Sequence, residues 1–236
     1  MIRAFFIVLV CIACNNQPKE KITVNKDSIV ETPQLKKDTA LVVYTDTINT
    51  AGIKIELEPH LIKLQSGDSF YLRIPANYHI NVSAELHKKR LRFLALSPDG
   101  RLFATDMNDR SDNRNGRILI FENWKDSSKS FEKITTYLRG LHNPNQLAFY
   151  KDYLYVAETG KLRRFNYTAG DTQPIDSGQT IASFPDYGLS YKYGGWHLTR
   201  SLAFYNNKLY VSVGSSCNAC IETEEMRACI VEMNPD

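Results

Sequence analysis

Arg92-Phe93-Leu94-Ala95-Leu96-Ser97-Pro98-Asp99-Gly100-Arg101-Leu102-Phe103-Ala104 is a short apolar run, a polar turn and a second apolar run. The same pattern returns as Asn145-Gln146-Leu147-Ala148-Phe149-Tyr150-Lys151-Asp152-Tyr153-Leu154-Tyr155-Val156-Ala157. It returns again as Arg200-Ser201-Leu202-Ala203-Phe204-Tyr205-Asn206-Asn207-Lys208-Leu209-Tyr210-Val211-Ser212. The turn residues Ser-Pro-Asp-Gly, Tyr-Lys-Asp and Tyr-Asn-Asn favour tight hairpins. A further strand is expected after each hairpin, at Arg117–Phe121, Leu162–Phe165 and Ile230–Met233. The anchors Leu94, Leu147 and Leu202 lie 53 and 55 residues apart. One motif with several strands at a period near ~50 is the signature of a β-propeller blade. A β-sandwich has regular turns as well, but does not require one motif to recur at one period.

Three such units fit between Phe70 and Asp236, and the expected fold class is an all-β propeller with about three blades. Closed propellers have ~4–8 blades, because closing the ring removes exposed sheet edges. The repeat count therefore leads us to expect a partial propeller, from a longer or truncated product. The expected organisation is a signal peptide at 1–13, a tether and lead-in at 14–66, and the blades at 67–236. Within the lead-in, Leu41–Tyr44 and Ile53–Leu57 read as strands, the second with apolar/polar alternation.

Arg3 precedes an apolar run from Ala4 to Ala13, too short to span a bilayer and suited to a signal-peptide core. Ala13 before Cys14 resembles a bacterial lipobox, although Cys11 stands where a Leu-like residue is usual. That resemblance implies cleavage before Cys14, its lipidation, and an exported protein on a cell-envelope membrane, held only by acyl chains. The polar stretch from Asn15 to about Lys37 suits a tether. Hydrophobic residues make up 43% of the chain, which argues against wholesale disorder. The net charge of +3, or +2 without Arg3, gives no electrostatic case for a nucleic-acid partner.

In a propeller the first strand of each blade lines the central channel. Residues just before it therefore converge on one mouth. Two positions before the anchors stand Arg92, Asn145 and Arg200, and five before stand Lys89, His142 and His197. Arginine forks at a mouth favour an anionic ligand, and a neutral histidine there can take a proton from a substrate hydroxyl.

The third unit is the most distinctive. Gly194-Gly195-Trp196-His197-Leu198-Thr199-Arg200 leads through Leu209-Tyr210-Val211-Ser212 to Gly214-Ser215-Ser216-Cys217-Asn218-Ala219-Cys220. This order resembles the glucose/sorbosone dehydrogenase family, including its quinone-dependent pyranose dehydrogenases. The resemblance covers about Phe70 to Asp236 and is specific in Gly194 to Cys220. It implies a six-bladed propeller that oxidises a sugar, with pyrroloquinoline quinone as cofactor, calcium in some relatives, and an external electron acceptor. His197 matches the general base. Arg200, and more loosely Arg92, match the residues that hold the quinone's carboxylates, with Asn145 at the equivalent place in the second unit. Ser215 stands where glucose-oxidising relatives have an acid, and Asn143-Pro144-Asn145-Gln146 where they often have Asn-Pro-His-Gly.

Cys217 and Cys220 are expected to form a local disulfide outside the cytosol, since no second cysteine pair or histidine cluster completes a zinc site. Asp106 to Asp112 reads as a solvated acidic loop, lacking the Gly and closing Glu of an EF-hand. Two other functions fit a propeller. One is a metal-dependent sugar lactonase using Glu158 and Asn145. The other is a non-catalytic, lipid-anchored binder of glycans or proteins.

Overall fold

A computed structural model describes residues 47–50, 53–86, 89–109, 111–186, 197–217, 219 and 221–236. The leader, Cys14, the tether, the expected strand at Leu41–Tyr44, and Cys220 lie outside the described residues. The described residues form strands, turns and irregular segments, with no helix among them. Thr47–Thr50 (β1), Ile53–Lys63 (β2) and Ser69–Pro75 (β3) make one three-stranded sheet in sequence order. Phe70 to Pro75 thus belongs to this sheet, and the first blade strand begins at Leu91.

The repeated units fold as three antiparallel meanders, and the protein is a β-propeller in its blade architecture. Blade 1 is Leu91–Leu96 (β4), Leu102–Asp106 (β5), Gly116–Lys125 (β6) and Ser130–Leu141 (β7), hydrogen-bonded in that order. Blade 2 is Leu147–Tyr150 (β8), Tyr153–Ala157 (β9), Lys161–Asn166 (β10) and Gln179–Ser183 (β11). Blade 3 is Arg200–Tyr205 (β12), Lys208–Val213 (β13) and Cys229–Met233 (β14). The hairpins match the turn chemistry read from the sequence. Asn206 and Asn207 both have positive φ, 47° and 57°, as a two-residue type I′ turn requires. Gly100 supplies φ 79° at the end of the Ser-Pro-Asp-Gly turn.

Blades stack face to face through apolar side chains. Phe103, Ile118, Ile120 and Tyr137 of blade 1 pack on Leu147, Leu154, Val156 and Phe165 of blade 2. Tyr155, Ala157 and Leu162, from the other face of blade 2, pack on Leu202, Leu209, Val211 and Val213 of blade 3. Strand β9 is buried on both faces because both neighbours cover it, so Leu154 to Ala157 is an unbroken apolar run instead of an alternating one. The first strands lie side by side, β4 next to β8 and β8 next to β12. That brings the loops entering them to one end of the stack.

The anchor leucines of blades 2 and 3 each point at the preceding blade. Leu147 is 1% exposed against blade 1, and Leu202 is buried against blade 2. Leu94 is 59% exposed, because no blade precedes β4 among the described residues.

Candidate functional site

The site is built where the three inner strands begin. Registering the blades by their ladders pairs Leu94 with Ala104, Leu147 with Val156, and Leu202 with Val211. Thr105 and Ser212 then occupy one repeat position, and both do the same work. Thr105 Oγ1 accepts the Phe93 N–H (3.1 Å), and Ser212 Oγ accepts the Ser201 N–H (3.0 Å).

The sequence-predicted residues two before each anchor meet in one hydrogen-bonded chain. Arg92 donates from Nε to Asn145 Oδ1 (3.2 Å), and Asn145 donates from Nδ2 to the Arg200 carbonyl (2.8 Å). Asn145 is buried and its amide is engaged at both ends, while Arg92 is exposed. The next residue extends the seam: Gln146 Nε2 donates to Leu202 O (3.0 Å), and its Oε1 accepts the Leu202 N–H (2.8 Å). A side-chain amide thus imitates a peptide and ties blade 2 to β12.

Arg200 is fully buried over the Phe184 ring. Its Nη1 donates to the carbonyls of Thr199 (3.1 Å) and His197 (3.3 Å), and its Nη2 to that of Pro185 (3.0 Å). Burial and the neighbouring Arg227 push the guanidinium down to about 10, against the pull of Asp186, so it stays charged at neutral pH.

The two histidines at equivalent positions have different fates. His197 is exposed, with a left-handed backbone at φ 60°. His142 is buried and bracketed by carboxylates: Nε2 meets Asp112 Oδ1, and Nδ1 lies 3.2 Å from Asp186 Oδ2. Its backbone N–H donates to Glu158 Oε2 (2.6 Å). Lys89, the third member of that row, is half-buried in its loop.

Buried carboxylates stand two residues past the middle-strand partner of the anchor, in a loop-anchoring role that was not read from the sequence. Asp106 accepts the backbone N–H groups of Arg90 and Asn108 (both 2.9 Å) and pairs with Arg117 (2.8 Å). Glu158 accepts the His142 N–H and pairs with Arg163 (2.7 Å). Asp106 therefore does not belong to a solvated loop; it is fully buried at the foot of that loop. The signal that could have found both is an acid ending an apolar strand with an arginine following on the next strand. Blade 3 has Val213 at this position, followed by Gly214.

Beyond β13, Ser215 Oγ donates to Cys217 O (2.8 Å), and the Ser216 N–H donates to Glu222 Oε1 (2.7 Å). Cys217 is disulfide-bonded, with its partner outside the described residues. Cys229 is a free, half-buried thiol, pushed up by burial against the opposing pull of Arg200. No group of three or more His, Cys, Asp or Glu suited to a metal ion occurs among the described residues. Glu158 and Asn145, the candidate lactonase ligands, are both committed to other partners.

The chain is similar to part of a carbohydrate-active enzyme. A calcium structure of the Trichoderma reesei family AA12 enzyme shares 15% identity over 77% of this chain, at a TM-score of 0.42. An iodide structure of the same enzyme gives 16% identity over 76% of this chain, again at 0.42. A Lactobacillus plantarum protein follows at 14% identity over 67% of this chain, with a TM-score of 0.33. This chain spans 37% of the length of the Trichoderma enzyme and 46% of the Lactobacillus protein. No family model and no curated protein matches it. The blade architecture rests on sheet order and blade packing, not on these similarities.

Proposed function

We propose that the protein is a quinone-dependent oxidoreductase that oxidises a sugar hydroxyl or aldose, with His197 as general base. The observation that supports this most is the exposed Arg92, held through Nε by the buried Asn145, which is itself bonded to the Arg200 backbone carbonyl at the strand that follows His197.

Arg92 offers a cation for one of the quinone's acidic groups at this end of the stack. Arg92 is exposed there, steadied through Nε by Asn145, and can hold a carboxylate with its remaining donors. Asn145 fixes that geometry from a buried position. The resemblance gives Arg200 the same role, although its Nη groups are engaged with three carbonyls. When bound, pyrroloquinoline quinone supplies the two-electron acceptor that side chains lack. This chain's own contribution is to take the proton of the sugar hydroxyl at His197 and to orient the reacting carbon. For calcium the described residues offer no ligand group. The bound quinone would need an external electron acceptor, and Cys14 carries a lipid that holds the exported protein at a membrane surface.

The test is reduction of a redox dye by the full native chain, loaded with the quinone and offered aldoses. Replacing His197 with Ala should lower kcat about 10²-fold or more, the usual contribution of a general base. Equal rates for wild type and His197→Ala would remove His197 from the chemistry. Absence of quinone-dependent activity in the wild type would remove the oxidoreductase reading.

A further inference from the structure

We propose that Arg200 is a positioning residue that locks the backbone of His197, instead of a ligand for the cofactor. The proposal rests on the reading of His197 as the base. A left-handed backbone at a non-glycine residue is sparsely populated and persists only where the surroundings over-determine it. His197 has φ 60°, and its carbonyl is held from two sides.

Arg200 supplies one half of the lock. One nitrogen of its guanidinium donates to the carbonyls of His197 and Thr199, and another to Pro185 on the incoming chain. Full burial and the Phe184 ring leave the fork little freedom to reorient. Gly214 supplies the other half. A Cβ there would lie 2.2 Å from the His197 carbonyl oxygen and 2.7 Å from its Cβ, so only glycine admits the His197 backbone this closely.

Blades 1 and 2 show what is replaced. Their entering loops are held by Asp106 and Glu158, which accept backbone N–H groups. Blade 3 has Val213 at that position, and a buried cation donating to carbonyls holds the loop in its place. The polarity of the anchor is reversed while its task is kept.

The test uses the full native chain with Arg200→Met, Arg200→Lys and Gly214→Ala. In activity, Arg200→Met and Gly214→Ala should each lower kcat at least tenfold and leave the quinone Kd within about twofold. Arg200→Lys, which keeps a donor, should recover part of the loss. The second readout needs no activity. The His197 imidazole resonance, identified as the one lost in His197→Ala, should shift or broaden in Arg200→Met and Gly214→Ala, and move back in Arg200→Lys. A tenfold weaker quinone Kd at unchanged kcat in Arg200→Met would make Arg200 a cofactor ligand and overturn the proposal. An unmoved imidazole resonance in Arg200→Met and Gly214→Ala would overturn it as well. Should Arg200→Met fail to fold, Gly214→Ala and Arg200→Lys decide by the same criteria. A wild type without activity would sink the oxidoreductase reading alone, since the resonance still reports on the lock.

Discussion

Blades 2 and 3 enter their first strands with a histidine at the same repeat position, yet one is buried and the other exposed. His142 is gripped at both ring nitrogens by Asp112 and Asp186, and its backbone is held by Glu158. His197 has Val213 and Gly214 where blade 2 has Glu158 and Thr159, and its loop hangs from Arg200. The difference shows that a repeat position sets where a side chain starts, while the loops stacked around it set whether the ring is enclosed. A histidine with both nitrogens against carboxylates is committed to holding loops together.

The comparison can be broken most strongly at Glu158. Glu158→Ala removes one partner of a buried pair and leaves Arg163 uncompensated and the His142 N–H without its acceptor. Chemical denaturation should show a loss of about 3–5 kcal/mol. A loss below about 1 kcal/mol would mean that the carboxylate does not anchor the blade 2 loop.

Gln146 offers a smaller perturbation, at the seam between the same two blades. Gln146→Leu strips the Leu202 N–H and carbonyl of their partners, and should lower stability by about 1–3 kcal/mol. Urea denaturation monitored by tyrosine and tryptophan fluorescence reads this directly.

Acid sharpens the contrast between the two blade joints with the least effect at neutral pH. At the hairpin end, Asp99 of blade 1 accepts hydrogen bonds from Tyr167 and the Gly170 N–H of blade 2. Burial raises the Asp99 carboxyl, but hydrogen bonds from Ser97, Tyr167 and Gly170 outweigh it and hold the group well below the usual carboxylate range. A depressed carboxylate gives stability that is complete above its unfolded value, near pH 4, and is lost as pH falls below that. The joint between blades 2 and 3 has a stacked Tyr150–Phe204 pair at 4.4 Å instead. Stability should therefore fall between pH 4 and pH 2 in wild type, and Asp99→Asn should flatten that fall. An unchanged slope in Asp99→Asn would assign the acid response to other carboxylates.

The blade period was legible because hairpin strands and turn residues recur at one spacing, and Leu147 and Leu202 are buried as that pattern requires. Leu94 breaks the pattern because an anchor is buried only by the blade before it. Strands β7 and β11 escaped notice because they are outermost in their sheets and largely polar, as in Ser130-Phe131-Glu132-Lys133, so no apolar run marks them. At the candidate site, the spacing of Arg92, Asn145 and Arg200 marked equivalent blade positions, but did not show that the side chains of Asn145 and Arg200 would be taken up by backbone carbonyls. Asp112 and Asp186 lie 30 and 44 residues from His142 in the chain, and only the stacking of loops brings them to its ring. Residue type cannot announce such a partner.

The meander order of the blades also bears on how the chain folds. In each blade every strand pairs with its neighbour in sequence, so a blade can complete itself from one run of about 35–50 consecutive residues. Synthesis at ~5–20 residues per second delivers such a stretch over several seconds, whereas hairpins form within ~10 μs. Blade 1 can thus be in place as a template before the Leu147 anchor of blade 2 leaves the ribosome, and blade 2 before Leu202. The backward-pointing leucines make position along the chain a schedule, in which each new blade finds its docking face already built.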